Sequence, residues 1–97
     1  MLARASNGKR INRASLRQDV RNKFDALELN EGKKFCYETG TGEHLDVFLK
    51  KGADWRSVEE LSMCYRGNET FVMRVDMRDL AWHIENQYAE LMNEVNF

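Results

Sequence analysis

Proline is absent from all 97 residues, and only two cysteines and two histidines are present. Without proline, no helix is broken from within. Two cysteines cannot staple a disulfide-dense secreted scaffold, so a reducing, cytoplasmic setting is expected. No stretch approaches the ~18 apolar residues of a membrane span. The opening MLARASNGKRINRAS carries basic residues with no apolar core behind them, so no secretory signal is expected either. Phosphate-binding glycine patterns are missing too. Gly40-Thr41-Gly42 is followed by neither G-x-G-x-x-G nor a Walker loop, and no G-x-S-x-G, H-E-x-x-H or calcium-loop pattern occurs. Carboxylates are plentiful but scattered. The expectation is therefore no cofactor, no metal site, no catalytic residues and no enzyme.

What the chain does have is charge. Charged residues make up 32% of it, above the ~25% of an ordinary domain, and they are unevenly spread. Residues 1–23 hold seven basic side chains against one acid, a net +6; residues 24–97 hold eight basic and fifteen acidic ones, a net −7. A basic arm on an acidic body suits a phosphate backbone, an acidic protein or its own domain.

Residues 1–11 lack periodicity and read as a mobile basic arm; residues 12–97 read as one domain. Leu16, Val20, Phe24 and Leu27 form one stripe of a helix. Ser15 and Gln18 have capping-box spacing at its start, and Gly32 is placed to end it. Two alternating runs follow. Phe35 and Tyr37, then Leu45, Val47 and Leu49, are joined by a three-residue loop with Gly42 left-handed. This register pairs Tyr37 with Leu45 and Phe35 with Val47. Residues 57–66 admit two readings. Val58, Leu61 and Tyr65 fit a helical stripe, whereas Leu61, Met63 and Tyr65 alternate as a strand. The strand reading turns through Gly67-Asn68-Glu69 and pairs with Phe71, Met73 and Val75. A last helix runs from about Asp76, its N-cap, to Glu94, with Met77, Leu80, Ala81, Ile84, Tyr88, Leu91 and Met92 on one arc. The fold class is α+β: an N-terminal helix, a four-stranded antiparallel sheet and a C-terminal helix, both helices on one sheet face.

Few side chains stand out chemically. His44 and Asp46 point to solvent, but a metal site or a catalytic base needs further partners close by. His83 is a boundary residue of the last helix. Cys36 and Cys64 face away from the helices and, with Phe48 and Val72, form a modest outer apolar centre. Trp55 reads as a loop anchor at the edge of the core. Trp82 differs from these. With Leu80 at zero and about 100° per residue, the apolar arc spans roughly 0° to 120° and Trp82 falls near ~200°, beside Asn86, Ala89 and Asn93. An outward tryptophan is the commonest kind of interface hot spot.

Two partner classes follow. The first expectation is a small cytoplasmic protein-binding module that modulates or inhibits a larger partner through Trp82, Asn86, Ala89 and Asn93; its profile resembles that of small accessory proteins of phages and mobile elements. The alternative is nucleic-acid binding by the basic arm and first helix, through Arg4, Lys9, Arg10, Arg13, Arg17 and Arg21. A homodimer is compatible with either. No membrane partner is expected.

Overall fold

A computed structural model describes residues 11–96, with side chains through residue 92. Helix α1 (Arg13–Ala26) leads into strands β1 (Gly32–Glu38), β2 (His44–Lys51), β3 (Ser57–Tyr65) and β4 (Asn68–Asp76). A 3-10 turn at Met77–Asp79 then opens α2 (Leu80–Asn96). The strands form an antiparallel meander in the order β1-β2-β3-β4. Both helices cover one face of it. Leu16, Val20 and Phe24 of α1 and Leu80, Ile84 and Leu91 of α2 join Tyr37, Leu45, Val47, Leu49, Leu61, Met63 and Tyr65 in one buried cluster. Among the described residues no layer covers the outer face, and Phe71 is 70% exposed there.

The capping box of α1 lies three residues before the expected one. Asn12 Oδ1 accepts from the Ser15 N–H at 2.9 Å, and Ser15 Oγ accepts from the Asn12 N–H at 3.0 Å. Gln18 instead donates to Asn22 Oδ1. The earlier cap puts Ile11 and Leu16 at the two hydrophobic-staple positions, and both are buried. Ile11, placed at the end of the arm from sequence, thus belongs to the core, and its N–H bonds the Glu38 carbonyl. Gly32 does not end α1. It is a β1 residue, and the left-handed position in the connection is Asn30, at φ 64°.

The first hairpin has the expected register, with Tyr37 opposite Leu45, Phe35 opposite Val47 and Gly42 at φ 83°. Residues 57–65 are a strand, and the helical look of the segment has a cause. Lys50 faces Glu60 but Lys51 faces Val58, so Glu59 is an extra residue in β3. This bulge turns Val58 and Leu61 to the same face at a spacing of three.

The second hairpin corrects the expected pairing. It turns through Arg66 and Gly67 alone, at φ 53° and 80°, so Tyr65 pairs with Asn68. A pair of left-handed residues matches the twist of the flanking strands. The odd shift of register against the longer loop reverses the faces of β4 from Thr70 to Met73, whereas Val75, beyond the left-handed Arg74, packs on the core as expected. Thr70 and Val72 pair with Met63 and Leu61 toward the helices, and Phe71 and Met73 point outward. Val72 therefore does not belong to the outer apolar centre.

Candidate protein-binding face

Asp76 caps the start of the last helical segment, its carboxylate accepting from the Arg78 N–H at 2.8 Å. Beyond it, α2 is held in rotation by a residue the apolar pattern passes over. Gln87 is buried, accepts from Thr70 Oγ1 at 2.8 Å and donates to the Leu61 carbonyl at 3.2 Å. Both ends of its amide are thus satisfied. Gln87 lies at about −20° on the helical wheel, just outside the arc of roughly 0° to 120° that the apolar residues define, so its burial was not read from the apolar pattern. Ala81, assigned to the inner arc, is exposed.

With that rotation fixed, Trp82 is 64% exposed. Its ring meets His83 edge-on at 4.9 Å, and its carbonyl accepts from Asn86 Nδ2 at 2.8 Å. Asn86 is exposed and Ala89 half-buried; the side chain of Asn93 lies outside the described residues.

A second tryptophan lies at the same end of the molecule. The Asn30 N–H bonds the Gly52 carbonyl, the Lys51 N–H the Glu31 carbonyl, and the Met77 N–H the Arg56 carbonyl. These bonds gather the α1–β1 connection, the β2–β3 loop and the approach to α2. Trp55, on that loop, is 61% exposed and does not anchor the core edge as expected. Its ring lies 4.6 Å from Lys51 Nζ, which also sits 4.7 Å above Phe24. Lys51 is only 2% exposed because the period-two pattern of β2 turns it inward, and two aromatic faces receive its ammonium.

Three of the four basic residues of α1 pair with acids of the domain itself. Arg17 pairs with Glu85 of α2 at 3.0 Å, Arg21 with Asp25 at 3.2 Å, and Lys23 with Asp19 at 3.0 Å. Arg13 is exposed. Arg4, Lys9 and Arg10 lie outside the described residues.

Cys36 and Cys64 are free and share the outer face. One strand separates them, which puts their backbones about 10 Å apart, too far for a disulfide within the sheet. Burial and the neighbouring Asp46 push the Cys36 thiol up, away from thiolate. Cys36 Sγ lies 3.4 Å from Nδ1 of the exposed His44. Among the described residues, no group of three or more His, Cys, Asp or Glu side chains is placed to hold a metal ion. No helix there is long and apolar enough to cross a membrane. An open depression of about 490 Å³ between the β2–β3 loop and the end of β4 is lined by Asp54, Arg56, Glu59, Arg74 and Asp76, charges of both signs.

By fold, the chain is an α+β domain, a four-stranded antiparallel meander with an N-terminal and a C-terminal helix. No family model, no curated protein and no solved structure matches it.

Proposed function

We propose that this chain is a protein-binding module that modulates or inhibits a larger partner, engaging it through the outward face of α2 centred on Trp82. One observation carries the reading. A tryptophan stands 64% exposed on a helix whose rotation is fixed by the buried Gln87 bonds. Leaving an indole wet is unfavourable, and tryptophan heads the residues that dominate binding energy when a partner desolvates them. Asn86 supplies a polar neighbour one turn on, and Trp55 and Leu29 are further exposed apolar residues toward the same end. The pairing of Arg17 and Arg21 with carboxylates leaves the basic face of α1 partly neutralised, which favours the protein partner over nucleic acid.

The test is a matched pair of variants used as bait in extracts of the native host, with nuclease present, followed by affinity measurement on the captured partner. Trp82→Ala is expected to cost about 2 kcal/mol or more in affinity. Its effect on the denaturation midpoint should correspond to about 0.5 kcal/mol or less. Leu80→Ala, on the buried side, should destabilise the fold by about 2–5 kcal/mol. Capture indifferent to Trp82→Ala, or Trp82→Ala as destabilising as Leu80→Ala, would overturn the reading. Retention of DNA or RNA on filters at low salt, lost as salt rises, would favour the alternative.

A further inference from the structure

The register places the outward side chains of the sheet on a grid. Reading from β1 to β4, one row is Gly32, Lys50, Glu60 and Met73; the next is Lys34, Phe48, Ser62 and Phe71. Height across this face is uneven. On β4, Phe71 and Met73 protrude, 70% and 45% exposed. On β1, Gly32 has no side chain, and the Phe48 ring lies down over it; a Cβ there would come within 2.8 Å of Phe48 Cζ. Between the two, a depression of about 300 Å³ runs over Ser62, with Lys34 and Glu60 among its lining residues.

We propose that two copies of this chain associate outer face to outer face about a two-fold axis parallel to the strands, seating Phe71 and Met73 of each copy on β1 of the other and bringing Lys50 of each opposite Glu60 of the other. A two-fold interface must be complementary to itself. Turning the grid about an axis along the strands exchanges β1 with β4 and β2 with β3 while keeping the rows. The high β4 edge then meets the low β1 edge. Met73 falls on Gly32 and the flat Phe48 ring, Phe71 on Lys34, and Lys50 on Glu60, an opposite-charge contact made twice. A thioether on an aromatic ring and an ammonium on another are both favourable contacts. An axis across the strands would instead lay each strand on its own copy, the β4 ridge on the β4 ridge, and would not bring Lys50 onto Glu60. Lys50 stands beside Glu60 of its own sheet but makes no ion pair with it or with another described residue, and the Glu60 carboxylate accepts from Ser62 Oγ. Four strands and six residues of rise give a footprint of about 19 by 20 Å, roughly 400 Å² per copy. This is small beside the ~800 Å² per partner of a standard interface, so the dimer is weak and reversible.

Sedimentation velocity on the full chain over a rising concentration series tests this. The wild type should move from monomer toward dimer. Lys50→Glu and Glu60→Lys should each weaken association about tenfold or more, because each sets two like-charge contacts in the interface. Mixed in equal amounts, the two variants should recover most of the wild-type association, since the Glu at position 50 of one copy then meets the Lys at position 60 of the other. Circular dichroism of each variant confirms that its fold is intact. A wild type that stays monomeric throughout, association insensitive to both substitutions, or a mixture that stays monomeric while both variants are folded would each overturn the proposal.

Discussion

Glu43 joins the two hairpins through a single carboxylate. Arg66 donates to it twice and the Tyr65 hydroxyl once, the latter at 2.7 Å, and Thr41 is a third donor residue at 3.0 Å. Those bonds, the Arg66 guanidinium foremost, hold the Glu43 carboxyl down at about 2, against an ordinary value of 4.5. The folded state therefore binds this proton less tightly than the unfolded chain does. The resulting stability is fully present above about pH 4.5 and is lost as pH falls toward 2. Asp76 and Glu31, lowered by backbone N–H bonds at Arg78 and Glu28, act with the same sign. Glu43→Gln is expected to lower the denaturation midpoint at neutral pH and to flatten the acid limb between pH 4.5 and 2; midpoints measured across that range check both effects. None of this was legible in the sequence, because Glu43 and Arg66 are 23 residues apart and meet only once both hairpins have their registers.

At the level of elements, the sheet was legible where a turn type was, and obscure where two turns competed. Gly40-Thr41-Gly42 fixed the first hairpin because a final left-handed glycine suits a three-residue loop. Around Gly67 the left-handed pair is Arg66-Gly67, and a left-handed arginine is not a residue that sequence patterns favour. One miscounted loop residue then exchanged the two faces of β4 from Thr70 to Met73, hiding the outward Phe71 and Met73. The bulge at Glu59 added a helical accent to a strand. Opposite it, Arg74 holds φ 57°, with its head group 3.8 Å from Glu59 and 80% of its side chain exposed. Placing a residue with a Cβ in the left-handed region costs about 1 kcal/mol or more, and an exposed ion pair returns less than that. Arg74→Gly is therefore expected to leave stability unchanged or raise it, whereas Arg74→Val should lower it by at least about 1 kcal/mol. Urea midpoints of the two variants, measured side by side, give the comparison.

Seen as a whole molecule, the separation of charge along the chain is partly cancelled in space, because Arg17 reaches across to Glu85 and Arg21 and Lys23 meet acids on their own helix. The outward direction of Trp82 and Asn86 was legible from helical periodicity alone. The exposure of Trp55 was not, since nothing in a loop sequence says whether its tryptophan turns inward, and the burial of Lys51 followed the strand period against its charge. The meander also bears on the expected order of folding. Each strand pairs with its neighbour along the chain, so loop closure for the sheet is short, while the α1–α2 contact between Arg17 and Glu85 spans 68 positions. Long closures are entropically the costlier, and they are favoured only after local structure has formed. The hairpins are expected to form in the rate-limiting step and the two helices to dock after it. In stopped-flow kinetics, Gly67→Ala, which places a side chain at φ 80°, should then mainly slow refolding. Leu16→Ala, in the late-docking helix, should leave refolding nearly unchanged and speed unfolding instead. A molecule assembled in this sequence opens first where its two ends meet, so the helices would part from each other before the sheet loses a single strand.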